Sequence, residues 1–273
     1  TPVNTVVNAF HLRATQIMAE MSAAAGKTED AKAYAGQFQK AYDAFQQKLF
    51  NPATGLYTDG ESTKHSSLHA NLFPLAFGLV PEERKGKVIE FIKKRGMRCS
   101  VYAAQYLLEG LYENGEAAAA MELMLADGDR SWKHMLKSGT TITWEAWDNK
   151  YKPNQDWNHA WGAAPANILP RYITGVRPLE AGWSKILIQP QPAALTKISS
   201  KIPSHRGPVE VKWEKAKGIW NISLPEGVSA TVDLPATNGQ KAYIAGKAVE
   251  AEMVRGRLIL KDAVKGQVAV TVK

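Results

Sequence analysis

Glu145 lies in the stretch Gly139-Thr-Thr-Ile-Thr-Trp-Glu-Ala-Trp-Asp148, and Trp157-Asn-His-Ala-Trp-Gly162 follows shortly after. Trp144, Trp147, Trp157 and Trp161 are half of the chain's eight tryptophans, set in one short window that includes Glu145. Indole faces stack on the apolar faces of sugar rings, and a carboxylate and an imidazole among them can hydrogen-bond hydroxyls. A carboxylate beside large apolar rings also tends toward a raised pKa, which suits proton transfer near neutral pH. Glu145 is therefore the first candidate for chemistry. His159, fourteen positions on at the start of an expected helix, is the second. A plainer reading stands beside this one: a tryptophan-rich core in which Glu145 is a satisfied buried acid and His159 is structural.

Other residues carry weaker signals. Asp148 and Asp156 could line the same pocket, although loop acids are more commonly solvated. Arg98 and Tyr102 precede or open a helix and could face the same mouth. His65 and His69 stand four apart, a metal-ligand spacing if both lie on one helix, but no third ligand has matching spacing and no His-Glu-x-x-His pattern occurs. No metal site and no cofactor are expected. The glycines form no phosphate-cradling loop, and no Gly-x-Ser-x-Gly elbow is present.

The elements that position these residues read as helices first and strands later. Val6, Phe10, Ala14, Ile17 and Met21 recur at helical spacing over residues 5 to about 25, and Gly26 ends the run. Thr28 is placed to cap a second helix carrying Tyr34, Phe38, Phe45 and Leu49 on one face. Asn51-Pro-Ala-Thr-Gly55 is a turn, followed by a short extended piece. Further helices are expected over about 64–77, from Pro81 to Gly96, over 101–113 and 116–126, and from Trp132 to Leu136. A last one runs from His159 to Tyr172. Glu145 falls in a loop between helical segments, where catalytic groups are often placed. After Pro178 short runs alternate apolar and polar residues: Val209-Val211-Trp213, Trp220-Ile222-Leu224, Val228 to Leu234, and Val268-Val270-Val272. That pattern predicts an antiparallel sandwich. The expected division is a helical domain over 1–177 and a β-sandwich over 178–273.

Composition excludes several classes. At 273 residues, 45% hydrophobic and 22% charged, the chain can bury a sizeable core. The net charge of +8 is dispersed along the chain, and its longest basic run, Lys93-Lys94-Arg95, sits where a helix ends. No basic stripe or nucleic-acid motif appears, so no nucleic-acid partner is expected. No apolar run approaches the ~20 residues of a membrane span. The single Cys99 rules out an internal disulfide and leaves the compartment open.

Seven stretches, in order, give a more specific reading. They are Asn8-Ala-Phe10, Leu49-Phe-Asn-Pro-Ala-Thr-Gly-Leu-Tyr-Thr-Asp-Gly60, Pro74-Leu-Ala-Phe-Gly-Leu-Val80 and Tyr106-Leu-Leu-Glu109, then Gly139-Thr-Thr-Ile-Thr-Trp-Glu145, Asn158-His159 with Gly162, and Lys185-Ile-Leu-Ile-Gln-Pro190. With them the whole chain resembles the C-terminal part of the α-L-rhamnosidases of glycoside hydrolase family 78. The resemblance implies an α plus β architecture: about half of an (α/α)6 six-hairpin toroid, closed by a β-sandwich. It implies inverting release of terminal α-linked L-rhamnose from a glycan or glycoside. By matching position, Glu145 is the expected general base and His159 a sugar-hydroxyl ligand. Trp144, Trp147, Trp161 and Asn158 would shape the substrate pocket.

The chain departs from the family in one respect. The general acid of the family lies in an acidic, arginine-containing block upstream, and nothing like that block occurs here. Cys99, in Met97-Arg-Cys-Ser100, is not part of one. Seven or eight helices are expected where a complete toroid has twelve. The chain therefore reads as the C-terminal portion of a longer enzyme, carrying the base half of its site. An incomplete toroid would expose apolar helix faces to a missing N-terminal segment, a second chain or a copy of itself. The alternatives are a carbohydrate-binding or catalytically inactive relative of such an enzyme, and a purely structural module.

Overall fold

The computed structural model describes residues 3–273. They form two compact units, divided between Gly162 and Ala163.

The first unit is helical. Its helices are α1 (Thr5–Ala24), α2 (Thr28–Lys48), α3 (Leu68–Ala76), α4 (Glu82–Arg95), α5 (Val101–Glu113), α6 (Ala117–Met124) and α7 (Trp132–Lys137), with a short hairpin of β1 (Phe50–Asn51) and β2 (Leu56–Tyr57) after α2. α3 and α5 form the inside, because their sequences are apolar nearly all round. Leu68, Ala70, Leu72, Phe73, Pro74 and Leu75 of α3 are buried, as are Val101, Leu107, Leu108 and Leu111 of α5. Gly110 lets the two backbones approach, since a Cβ there would lie 3.3 Å from the backbone nitrogen of Ala76. α2 and α4 bury only a narrow stripe. α1 buries small residues, Ala9, Thr15 and Ser22 with Leu12, and turns Val7, Met18 and Met21 to solvent.

Several local details differ from the sequence-based expectations. Thr28 is the first residue of α2 rather than its cap. Lys27 takes the cap position without a side-chain bond, and Tyr34 and Phe38 are only half-buried. The expected helix over 64–77 begins at Leu68, capped by the Ser67 hydroxyl. Asp59 holds the preceding loop: its carboxylate takes the Ser67 N–H at 2.7 Å and pairs with His65 Nδ1 at 2.5 Å. His65 is therefore off the helix that carries His69, and the metal-like spacing is not realised. The expected helix from His159 to Tyr172 is broken into a 3₁₀ turn (Ala160–Gly162), α8 (Ala164–Ile168) and a π turn (Leu169–Ile173). Pro165 and Pro170 explain the break, because each removes a donor from the helical ladder.

The second unit starts with α8 and the π turn, which lead into two sheets. Their strands are β3 (Val176–Pro178), β4 (Lys185–Ile188), β5 (Lys197–Ile202), β6 (Val209–Glu214), β7 (Ile219–Ser223), β8 (Ser229–Pro235) and β9 (Ala242–Ile244), then β10 (Lys247–Ala248), β11 (Ala251–Val254), β12 (Arg257–Leu260), β13 (Val264–Lys265) and β14 (Gln267–Val272). One sheet runs β10-β9-β14-β7-β6-β5. The other runs β11-β12-β8-β4-β3, with β13 also paired to β8. Alternation puts Val209, Val211, Trp213, Trp220, Ile222 and Val270 inside from the first sheet. Ile186, Ile188, Ala230, Val232, Leu234 and Leu258 are buried from the second.

Pairing is antiparallel except between β4 and β8, which run parallel from Lys185↔Ser229 to Ile188↔Val232. The sandwich is thus not wholly antiparallel as its alternation suggested. Compactness divides the chain at 162/163 rather than at the change of sequence pattern at 177/178, because the π turn packs against β3 and belongs with the sheets. Tyr172 illustrates this by accepting the Gln191 N–H at 3.0 Å.

Candidate active site

Glu145 sits where two loops are laced together. Its backbone N–H donates to the Asp156 carbonyl at 3.0 Å, and the His159 N–H donates to the Thr143 carbonyl at 2.8 Å. The Thr143 hydroxyl returns a bond to the His159 carbonyl at 2.8 Å, and the Ala146 N–H donates to the side chain of buried Gln155 at 3.1 Å. Gly162 closes the lacing. A Cβ there would lie 2.6 Å from the Trp144 carbonyl oxygen, so only glycine admits this approach. The sequence segments 143–146 and 155–162 are thereby fixed side by side without a helix or sheet to carry them.

The carboxylate of Glu145 is nearly covered. One oxygen is ion-paired with the Lys152 ammonium and the other accepts the Asp156 N–H at 3.0 Å. The Lys152 hydrogen bond, followed by the Asp156 N–H, holds the Glu145 carboxyl below the usual carboxylate range, against a smaller opposing effect of burial. The surrounding tryptophans thus do not raise its pKa as their proximity suggested. Asp156 and His159 each place an oxygen or nitrogen within 4.8 Å of a Glu145 oxygen and of one another. Such a triad is a donor set for a divalent cation. Lys152 already supplies the positive charge beside Glu145.

The tryptophans divide by role. Trp161 is 44% exposed and Trp157 51%. Trp161 stacks on His159 with ring centroids 4.3 Å apart and donates its indole N–H to the Glu145 carbonyl at 3.1 Å. Tyr102, at the start of α5, packs on Trp161 with centroids 5.5 Å apart, so it does join this mouth. Trp157 meets Trp144 edge-on. Trp144 and Trp147 are only 3% and 2% exposed. Trp147 donates to the Cys99 carbonyl at 2.7 Å and packs edge-on against Trp132, so it braces the loop from behind and offers no free face to a sugar. Asn158 is exposed beside His159. His159 Nδ1 and Trp144 Nε1 are buried and have no hydrogen-bond partner among the described residues.

Asp148 turns away from the cluster. It pairs with His134 at 2.6 Å and accepts the Lys150 N–H, and the latter bond followed by His134 lowers its pKa. Arg98 is exposed, and no hydrogen bond or ion pair among the described residues joins it to Glu145. The sequence reading missed Lys152 and Gln155. Both lie in the turn-rich run Asp148-Asn-Lys-Tyr-Lys-Pro-Asn-Gln155, whose polarity marked it only as a loop.

Residues 1–173 match the bacterial alpha-L-rhamnosidase six-hairpin glycosidase domain and residues 175–248 the bacterial alpha-L-rhamnosidase C-terminal domain. The chain belongs to the bacterial alpha-L-rhamnosidase six-hairpin family.

Among curated relatives, the alpha-L-rhamnosidase of Formosa agariphila is 28% identical over 253 residues, covering 86% of this chain and 27% of that protein. The alpha-L-rhamnosidase of Streptomyces avermitilis is 25% identical over 264 residues, covering 92% of this chain and 25% of that protein. This chain thus spans about a quarter of the length of these relatives. The fold matches the solved alpha-L-rhamnosidase of Dictyoglumus thermophilum with a TM-score of 0.85 at 21% identity, covering 97% of this chain and 31% of that one. It also matches the Streptomyces avermitilis alpha-L-rhamnosidase complexed with L-rhamnose, with a TM-score of 0.80 at 24% identity, covering 97% of this chain and 26% of that one.

Proposed function

We propose that this chain carries the base half of an inverting α-L-rhamnosidase and acts on terminal α-L-rhamnosyl residues of a glycan or glycoside. The observation that carries the reading is the Glu145 carboxylate, kept ionised and aimed by Lys152 and the Asp156 N–H, beside His159 and the exposed Trp161. A carboxylate held in that state can take a proton from water as the water attacks the anomeric carbon. His159 and Asn158 would bind sugar hydroxyls, while Trp161 stacks on the ring, with Trp144 and Trp147 holding the loop in place.

Inversion needs a second carboxyl about 6.5–9.5 Å away to protonate the departing oxygen. Asp156, within 4.8 Å of Glu145, is too close for that task. We therefore assign the acid to a part of the enzyme outside this chain, as the family resemblance implies. The family relationship, and the L-rhamnose bound by the Streptomyces avermitilis relative, support rhamnose as the sugar.

The test is hydrolysis of an aryl α-L-rhamnoside by the longer enzyme and by its Glu145→Gln variant. Turnover should fall by about 10²–10⁴-fold with the melting temperature unchanged. Full activity in the variant would remove Glu145 from the reaction. Saturable sugar binding without turnover in the unmodified enzyme would point instead to a binding or inactive relative.

A further inference from the structure

Asp156 is the acid beside Glu145 to which the proposed mechanism gives no task. Its main chain is pinned to Glu145 twice. The Asp156 carbonyl accepts the Glu145 N–H at 3.0 Å, and the Asp156 N–H donates to a Glu145 carboxylate oxygen at 3.0 Å. Gln155, just before it, is buried and accepts the Ala146 N–H on its side-chain oxygen at 3.1 Å. The Asp156 carboxylate itself has no hydrogen-bond or ion-pair partner among the described residues, whereas both oxygens of Glu145 are engaged. The fold thus fixes where this carboxylate stands and leaves its oxygens open.

One oxygen of Asp156, one oxygen of Glu145 and one ring nitrogen of His159 lie within 4.8 Å of one another. Any three atoms so placed lie within about 2.8 Å of a common point, which is the length of a hydrogen bond to an oxygen. The triangle is therefore the size of one water molecule. A divalent cation at that point would stand close to the Lys152 ammonium, which is paired with Glu145, so a neutral occupant is favoured.

We propose that Asp156 holds the attacking water together with Glu145 and so fixes the orientation in which it meets the anomeric carbon. The proposal rests on the reading of Glu145 as the base. One hydrogen of the water is bonded to Glu145 and passes to it as the water oxygen joins the anomeric carbon and the glycosidic bond breaks. The other is bonded to Asp156 and stays on the oxygen, becoming the hydrogen of the new anomeric hydroxyl. The departing oxygen takes its proton from the acid outside this chain, and the two carboxyls then exchange protons with solvent. A water bonded to Glu145 alone would rotate about that bond. The second bond removes this freedom before the reaction and turns the lone pairs away from both carboxylates. His159, at the third corner, keeps its task at the sugar.

The experiment is steady-state hydrolysis of an aryl α-L-rhamnoside by the longer enzyme and its Asp156→Ala and Asp156→Asn variants, with Glu145→Gln alongside. Asp156→Ala should lower kcat about 10–100-fold and leave KM within about twofold, because a charged hydrogen bond to the water is lost while the sugar contacts remain. Asp156→Asn keeps a side-chain oxygen that accepts from water and should lose less than about tenfold. Melting temperatures should not change, since the Asp156 bonds that lace the loops come from its main chain. Unchanged kcat in Asp156→Ala would overturn the proposal. So would a raised KM with kcat unchanged, by making Asp156 a sugar ligand. A loss as large as that of Glu145→Gln would overturn it by making Asp156 the base. Equal losses in the two Asp156 variants would show that accepting from water is not its task. Activity lost to a chelator and restored by a divalent cation would make the triangle a metal site instead. If Glu145→Gln keeps full turnover, the base assignment falls and this one with it; if only the Asp156 variants keep it, Asp156 alone leaves the reaction.

Discussion

In the proposed mechanism Lys152 sets the working state of Glu145. It contributes the first of the effects that hold the Glu145 carboxyl below its ordinary range, so the carboxylate stays ionised as the solution is acidified. A base must be deprotonated to act, so activity should persist down to the depressed pKa and fall below it. Lys152→Met removes the ion pair and raises the Glu145 pKa. The acid limb of the kcat/KM profile should then move to higher pH, while the basic limb stays in place. An unmoved acid limb would mean that another group controls it. That Glu145 and His159 lie together was legible in the sequence, because tryptophans crowded both. Lys152 was not, because its partnership depends on how a polar loop folds back, and no periodicity records that. Trp147 shows the converse. Its place beside Glu145 suggested a pocket wall, but position along the chain does not say which way an indole turns, and this one faces Cys99 and Trp132.

Among the elements, the helix ends were largely readable, since glycines follow α1, α4 and the π turn and short loops join the hairpins. The interrupted coil after His159 was not, because its apolar spacing continues through Pro165 and Pro170. The parallel pair β4 and β8 was equally hidden, since alternation reports which face is buried and not the direction of the neighbour. The lacing of 143–146 with 155–162 is the element on which the site depends, and Gly162 is its tightest point. Gly162→Ala would push a methyl group onto the Trp144 carbonyl, at an expected cost of about 1–3 kcal/mol. Melting temperature and turnover should both drop in that variant. A fully active, equally stable Gly162→Ala protein would show that the loops have room to separate.

For the molecule as a whole, α1 is the unfinished surface. Val7 is 67% exposed and Met21 60%, with Ile17 and Met18 beside them along the same helix. Apolar surface of this kind is covered in a working protein. The isolated chain should therefore associate with rising concentration in sedimentation experiments. Val7→Glu with Met21→Glu should return it to a single species; if the pair changes nothing, association runs through another face. The spread of the sandwich along the sequence has a different consequence, concerning time rather than space. β14 is the last strand described, yet it lies inside its sheet, hydrogen-bonded to β7 on one side and β9 on the other. On the ribosome, β5, β6 and β7 can pair as they emerge, but β9 and β10 have no edge to join until Gln267–Val272 has been made and threaded between them. Assembly of that sheet waits for β14, and a chain shortened before Gln267 should leave β9 and β10 open to proteolysis while β5 to β7 stay protected.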